Sequence, residues 1–306
     1  MSDQRRSTLL VIVLLLLLFG GGAALALSQV LDRPLPLMPG GDRIAVVPVE
    51  GVISSETAPL RTLRRFRERD GVEGLVLEIR SPGGTVGASQ ALHREVRAYR
   101  ERGLPVVAWI GDVGASGGYY AAVAADSVLA LPGSITGSIG VIMQFPDARG
   151  LLEKAGLAVE IVKSGEHKDA GSPVRALDES DREVFQTLVD DTYGQFLDAV
   201  VAGRGLERDS ARVLADGRVY SGERAARIGL IDGIATLPEA LDVAGRMAGL
   251  GEDPPVLRPP RPRTDWTDLL LDGPGGLLRR TAAALLGGSD PSRAPWSSPR
   301  LMYLWR

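Results

Sequence analysis

Cysteine is absent from this chain of 306 residues, and histidine occurs only twice, at His93 and His167. Without cysteine there is no thiol nucleophile, and a zinc site of the usual His and Cys type lacks ligands. The formal net charge is -3, so the overall charge attracts neither nucleic acid nor an anionic lipid surface. Serine, threonine, lysine and carboxylate chemistries remain, and we expect no nucleic-acid partner.

Charge is also absent from one long amino-terminal run, TLLVIVLLLLLFGGGAALAL, which extends from Thr8 to Leu27. At a rise of 1.5 Å per residue, about twenty helical residues cross a hydrocarbon core of ~30 Å. Arg5 and Arg6 precede the run, so we predict that residues 8–27 are a transmembrane anchor, with residues 1–7 in the cytoplasm and the chain after Ser28 outside. The alternative is a cleaved signal peptide, because Ala24–Ala26 has the form of a cleavage site. Both interpretations export the remainder of the chain.

The pattern changes twice after this run. Residues 28–42 are rich in Pro and Gly and are predicted to be a spacer. Over residues 43–249, β-branched runs (IAVVPVEGVI, GLVLEI, PVVAWI, SVLALP, VEIVKSG) alternate with helical patterns, which predicts an α/β domain with mostly parallel strands. Residues 250–306 are predicted to be a Pro-rich linker and a tail. The tail ends in PRLMYLWR, and we hypothesise that it packs on a neighbouring subunit or occupies the substrate groove.

Two helical patterns bear on function. An arginine-rich stretch from Thr57 to Arg69 also carries acidic residues, which is typical of a solvated helix face rather than a nucleic-acid site. Apolar residues recur at helical spacing from Asp178 to about Gly205 and predict a long amphipathic helix.

Three glycine-rich segments, SPGG (81–84), GASGG (114–118) and GSITGSIG (133–140), follow predicted strands. Open α/β sheets bind ligands at this edge, although each segment alone is also typical of a tight turn. Ser116 lies where the strand PVVAWI meets a helix of small residues, so its hydroxyl is a candidate nucleophile. The N–H groups of the first helical turn, with that of Gly83 or Gly84, would stabilise an oxyanion. The alternative is that Ser116 is only a helix N-cap.

A serine hydroxyl needs a neighbouring base. His93 falls inside a helical pattern and is predicted to be structural, which leaves His167 and Lys168 in KSGEHKDAGSP. A lysine amine has a pKa of about 10.4 in water, so its neutral form costs roughly 4 to 5 kcal/mol at pH 7. Burial without a carboxylate partner removes most of this cost. Three charged neighbours leave the local charge balance open: Lys163, Glu166 and Asp169. On these grounds the choice between His167 and Lys168 stays open.

Five segments in this order, IRSPGGTVGAS, GASGGYYAAVAAD, GSITGSIGV, KSGEHKDAGSP and GRVYSGERAARIGLID, resemble the short, single-domain form of bacterial signal peptide peptidase A. The resemblance covers the apolar run and about residues 43–245. It implies that Ser116 is the nucleophile and that Lys168, rather than His167, is the general base. It further implies that Ser138 orients the lysine amine and that Gly83 and Gly117 are the oxyanion donors.

The same resemblance implies a fold related to the Clp protease and crotonase. It implies a ring-shaped homo-oligomer anchored in the bacterial inner membrane, with Ser and Lys of one site contributed by neighbouring subunits. The expected substrates are remnant signal peptides and misfolded membrane or exported proteins. No metal and no organic cofactor is implied.

Two other functions are compatible with the same residues. The segment Gly114–Gly118 also fits the G-x-S-x-G elbow of an α/β-hydrolase, an esterase with His167 as its base. The second alternative is a membrane scaffold of the same fold that has no catalytic activity.

Overall fold

The computed structural model describes residues 41–54, 58–260 and 302–304. The unit that carries the fold begins at Asp42, one residue before the predicted domain start. Within the described residues, no helix has the length and apolarity needed to cross a bilayer. The predicted span from Thr8 to Leu27 and the spacer after it lie outside the described residues.

A twisted sheet forms the centre of the unit. Its strands are β1 (Arg43–Glu50), β2 (Val72–Ser81), β4 (Val106–Ala115), β5 (Ser127–Ala130), β6 (Ile135–Gly137), β7 (Val219–Ser221), β8 (Gly233–Ile234) and β9 (Val256–Leu257). The order is β7-β6-β4-β2-β1-β9, with β5 and then β8 joined to one edge of β4. Every pairing is parallel except that of β6 with β7. The predicted α/β fold with a mostly parallel sheet is confirmed.

Eight α-helices are described. They are α1 (Ala58–Arg67), α2 (Val86–Arg100), α3 (Gly117–Ala122), α4 (Arg149–Lys154), α5 (Glu179–Arg204), α6 (Arg208–Leu214), α7 (Gly222–Arg227) and α8 (Leu237–Met247). The predicted long helix is α5. It starts after Asp178, whose side chain accepts a hydrogen bond from the Asp181 N–H at 2.9 Å, and it ends at Gly205, where φ is 62°. A capping carboxylate and a left-handed glycine are the usual signals for these two ends.

Both faces of the sheet are covered, which explains the nearly continuous apolar strands. One face packs on α1, α2, α3 and α5, and the other packs on α8. Buried aromatic residues use their polar atoms as well as their rings. The Tyr119 hydroxyl donates to the Leu230 carbonyl at 2.6 Å, and the Trp109 indole N–H donates to the Ala235 carbonyl at 2.9 Å. The first bond joins α3 to the loop before β8, and the second joins β4 to the residue after β8.

The prediction that VEIVKSG forms a strand is wrong. Residues 159–165 form no strand, and Val162 is 94% exposed. An alternating apolar run becomes a strand only when another strand accepts its hydrogen bonds and its apolar face is covered. Within the described residues, this segment has no strand beside it. It belongs to a longer surface segment, residues 142–174, which we call the arm.

The fold also extends beyond Gly249, where the domain was predicted to end. Strand β9 pairs with β1, and the Leu257 side chain is buried in the core. Arg258 donates to the buried Glu78 carboxylate at 2.9 Å. The Pro-rich segment, which cannot continue a helix, therefore returns to the sheet as an edge strand.

Candidate active site

Ser116 lies between the end of β4 and the start of α3, with φ of 50° and ψ of -118°. This backbone conformation is rare for any residue other than glycine. Of the non-glycine residues that the structure describes, three have positive φ: Ser116, Ser138 and Asp253. Two of these three are the serines that the sequence analysis assigned to the site. Strained backbone at these two positions is typical of functional residues held in place by their surroundings.

Ser116 occupies the N-cap position of α3, but its side chain makes no capping hydrogen bond. The side chain is buried, with 1% of the residue exposed. The alternative in which Ser116 serves only as a cap therefore has no hydrogen bond to support it. The hydroxyl remains available for chemistry.

Ser138 lies directly beside Ser116. Strands β4 and β6 are parallel, and Ala115 is in register with Gly137, so the next residues of both strands are neighbours. The Ser116 N–H donates to the Gly137 carbonyl at 2.8 Å, and the Ser138 N–H donates to the Arg218 carbonyl at 2.8 Å. The sheet thus brings together two of the predicted site residues at the carboxyl ends of its strands.

One edge of β4 pairs with two strands. Its first part pairs with β5, and its last residues pair with β6. The chain turns between them at Ser134, whose hydroxyl donates to the Ile110 carbonyl of β4 at 3.1 Å. The Thr136 hydroxyl donates to the Gly114 carbonyl at 2.8 Å. These two bonds hold β6 in the register that places Ser138 beside Ser116.

The SPGG turn packs against the start of α3. A Cβ added to Gly117 would lie 2.2 Å from Ser89 Oγ and 3.2 Å from the Gly84 nitrogen. Such close approach excludes any side chain at Gly117 and leaves the backbone N–H groups of the turn and of α3 side by side. The structure therefore brings the predicted oxyanion residues to the same place as Ser116.

The two N–H groups of the turn are not equivalent. The Gly83 N–H donates to Ser81 Oγ at 3.1 Å. The Ser81 hydroxyl in turn donates to the Gly51 carbonyl at 2.7 Å. Since the Gly83 N–H has an internal acceptor, Gly84 stays a candidate for the second oxyanion donor beside Gly83.

A short strand from the end of the chain covers this turn. Strand β10 (Met302–Leu304) pairs antiparallel with β3 (Gly83–Thr85), and Leu304 is in register with Gly83. β10 also approaches α2 and α3. The edge of the strand that carries the predicted oxyanion residues thus accepts an extended peptide.

Lys168 lies apart from the two serines, in the arm. It belongs to a 3-10 turn, Glu166–Asp169, and is exposed. Within the described part of the chain, its amine has no hydrogen bond or ion pair, and nothing links it to Ser116. One chain therefore assembles Ser116, Ser138, Gly83 and Gly117, but it does not join Lys168 to them.

The chain has three lysines, Lys154, Lys163 and Lys168, and all of them lie in the arm. The Lys163 amine donates to an Asp169 oxygen at 2.7 Å and to the Glu166 carbonyl at 2.6 Å. The Lys163 amine is therefore already engaged by a carboxylate and a backbone carbonyl. Lys163 is thus the least suitable base of the three.

The two histidines differ in environment. The His93 ring is tilted against the Tyr120 ring, with ring centroids 5.0 Å apart, and burial lowers the pKa of His93 to about 4. It is half-buried in α2, and at neutral pH its ring is uncharged. His167 Nδ1 lies 2.9 Å from Asp181 Oδ1, and this hydrogen bond raises the pKa of His167. Within the described residues, His167 makes no contact with Ser116.

The sequence analysis did not predict the network of ion pairs around Arg175, which lies next to the turn that carries Lys168. Arg175 contacts three carboxylates, Asp169, Asp178 and Asp181, of which Asp181 is fully buried. The signal in the sequence was a spacing of three among charged residues: 163, 166, 169, then 175, 178, 181. That spacing is also found on ordinary solvated surfaces, so it did not identify a network.

Comparison with known proteins gives a consistent result. The sequence model of peptidase family S49 matches residues 98–251. A candidate protease of Synechocystis sp. is 39% identical over 213 residues, which is 69% of this chain and 76% of that protein. A candidate protease of Methanocaldococcus jannaschii is 36% identical, covering 62% of this chain and 61% of that protein. A candidate signal peptide peptidase A of Enterococcus faecium is 36% identical, covering 60% of this chain and 53% of that protein.

Among solved structures, a membrane-bound stomatin-specific protease aligns with a TM-score of 0.45 at 16% identity, over 72% of this chain and 98% of that one. The family match covers half of this chain, and the Synechocystis relative is covered over three quarters of its length. The chain therefore belongs to peptidase family S49, a family of serine proteases.

Proposed function

We propose that this protein is an endopeptidase in which Ser116 is the nucleophile and Lys168 the general base. The observation that carries the proposal is the strained backbone of Ser116, which lies beside Ser138 and directly before Gly117, the residue that packs against the SPGG turn. The neutral lysine amine takes the Ser116 proton as Oγ attacks the peptide carbonyl. The N–H of Gly117 and that of Gly83 or Gly84 stabilise the oxyanion. The ammonium then protonates the leaving amine, and water hydrolyses the acyl-enzyme by the same proton path.

We infer that Lys168 reaches the serine of a neighbouring subunit. Lys168 is exposed, and the arm that carries it exposes large apolar residues that a single chain leaves uncovered. They are Leu151, Leu157, Val159, Ile161 and Val162. Several large apolar side chains exposed within one short segment are typical of an interface. Burying the arm on a second copy would remove water from around the amine, which favours the neutral form that a base requires.

Mixing two inactive variants tests this arrangement. Ser116→Ala and Lys168→Ala should each be inactive alone. When the two are co-expressed in equal amounts, random assembly gives about one quarter of the sites an intact serine from one subunit and an intact lysine from its neighbour. Peptidase activity should therefore return to about a quarter of that of the wild type.

The result distinguishes a site shared between subunits from a site within one chain. If both groups came from one chain, every chain in the mixture would lack one of them, and activity would stay at zero. Chains that never mix would give the same zero, so co-purification through a tag on one variant is the necessary control. Zero activity in mixed assemblies would refute the shared site.

We further propose that the run from Thr8 to Leu27 anchors the protein in the bacterial inner membrane with its amino terminus in the cytoplasm. The protease domain, of a fold related to the Clp protease and crotonase, would then form a ring outside the membrane. The proposed substrates are remnant signal peptides and misfolded membrane or exported proteins. The name of the Enterococcus relative supports this class, and the pairing of β10 with β3 supports an extended peptide as the bound form.

One observation favours the esterase alternative enough to test it. The His167 and Asp181 pair resembles the base and its orienting carboxylate in a catalytic triad. His167→Ala should leave peptide hydrolysis largely intact if Lys168 is the base, and should abolish ester hydrolysis if His167 is. Labelling of Ser116 by a fluorophosphonate, absent in Ser116→Ala, separates both enzymes from a scaffold without activity.

A further inference from the structure

The residue that follows the proposed base is a carboxylate. An aspartate beside an amine holds the amine's proton, because the ion pair favours the charged form of both groups. A base with Asp169 as its immediate neighbour therefore needs that carboxylate to be occupied elsewhere. The structure shows where it is occupied.

Both oxygens of Asp169 have cationic partners. Lys163 Nζ lies 2.7 Å from Oδ1, and Arg175 Nε lies 3.1 Å from Oδ2. The Asp169 side chain is only 9% exposed, and the Lys163 hydrogen bond lowers the pKa of Asp169. The carboxylate is thus turned inward and saturated with positive charge, while the amine of Lys168 faces outward.

Arg175 also fixes the turn to the body of the protein. Its Nη1 lies 3.0 Å from Asp178, the N-cap of α5, and its Nη2 contacts Asp181 in the first turn of that helix. The Asp181 side chain is 1% exposed, so this end of the anchor is buried. The residues on either side of Lys168 are therefore both tied to α5. Asp169 is tied through Arg175, and His167 is tied through its own hydrogen bond to Asp181.

We propose that Lys163 and Arg175 are positioning residues, which bind both oxygens of Asp169 and so prevent this carboxylate from pairing with Lys168. The inference rests on the proposed role of Lys168 as the base. Lys163 and Arg175 act through Asp169 and do not touch the substrate. The charged groups around the Lys168 turn are Lys163, Glu166, His167, Asp169, Arg175, Asp178 and Asp181.

The first measurement is the pH dependence of kcat/KM in the full-length protein. Lys163→Met frees one Asp169 oxygen, so the acid limb of the profile should move to higher pH by about one unit, with a roughly tenfold loss at pH 7 that alkaline pH restores. Lys163→Arg keeps the cation and should keep the profile. The double variant Lys163→Met with Asp169→Asn removes the released carboxylate and should return the limb to its wild-type position.

Lys154→Met is the matched control. It removes another lysine of the arm, on α4, which has no hydrogen bond or ion pair in the described part of the chain. Its profile should equal that of the wild type. Lys163→Gln gives a second variant that keeps a donor for the Glu166 carbonyl, in case the methionine variant fails to fold.

A second measurement requires no activity. Because the chain has three lysines, ε-13C lysine labelling gives three side-chain signals, which arginine variants assign one by one. In Lys163→Met, the Lys168 signal should titrate at higher pH than in the wild type, and it should return in the double variant. If the protein cleaved no peptide, the proposed function would fail while this titration still tested the ion-pair arrangement.

Three results would overturn the proposal. One is a loss of activity in Lys163→Met that is the same at every pH. Another is a double variant that stays as impaired as the single one. The third is a Lys168 signal that titrates at the same pH in all variants.

Discussion

Replacing Ser116 by alanine and by glycine separates the role of its hydroxyl from the strain in its backbone. Both variants lose the proposed nucleophile and should be inactive. At φ of 50° and ψ of -118°, a residue with a Cβ pays of order 1 to 3 kcal/mol, which glycine avoids. Glycine loses roughly 0.5 to 1 kcal/mol through the greater freedom of its unfolded chain. Ser116→Gly should therefore be more stable than Ser116→Ala by about 1 kcal/mol.

The sign of this difference in stability is informative, because alanine normally gives a more stable protein than glycine at the same position. Ser210, exposed in α6, provides the control: there the glycine variant should be less stable than the alanine variant by about 1 kcal/mol. Urea denaturation at matched protein concentration measures both pairs, since association also contributes to apparent stability. For a domain of this size, 1 kcal/mol corresponds to a shift in Tm of about 2 to 4 °C. An alanine variant at Ser116 as stable as the glycine variant would refute backbone strain at the nucleophile.

Three further predictions concern the surroundings of the site. Gly84→Ala would place a Cβ 1.9 Å from the Ile53 carbonyl oxygen, so it should displace the SPGG turn and abolish activity, whereas Gly87→Ala, with open space around it, should not. Deleting residues 301–306 removes β10 and should lower KM for peptides if the tail competes for the β3 edge; an unchanged KM would argue against competition. The pKa of His93 is lowered to about 4, so its neutral form favours the folded state. Stability should fall by about 2 to 3 kcal/mol as pH drops from 6.5 towards 4, and His93→Phe should lack this part of the loss.

Much of the fold follows from local sequence. The alternation of β-branched runs with amphipathic stretches is enough to predict the parallel sheet, because buried strands must be apolar on both faces. The ends of α5 follow from Asp178 and Gly205, whose preferences are local. The strand predicted from VEIVKSG failed for the opposite reason: its pattern satisfies the periodicity of a strand, but pairing requires a neighbour that no local pattern can supply.

The candidate site divides in the same way. The sequence by itself singled out Ser116 as the candidate nucleophile, since the glycine-rich segments indicate where the backbone turns and which serine lies in each turn, and the family resemblance added Lys168 as the candidate base. Only the tertiary structure decided which of them meet. The register of β6 on β4 places Ser138 beside Ser116, and the return of β9 brings the Pro-rich segment back to the sheet. The pairing of Asp169 with Lys163 and Arg175 could not be predicted from the sequence either. Attraction between charges depends on their distance in space, and the order of residues in the chain does not give that distance.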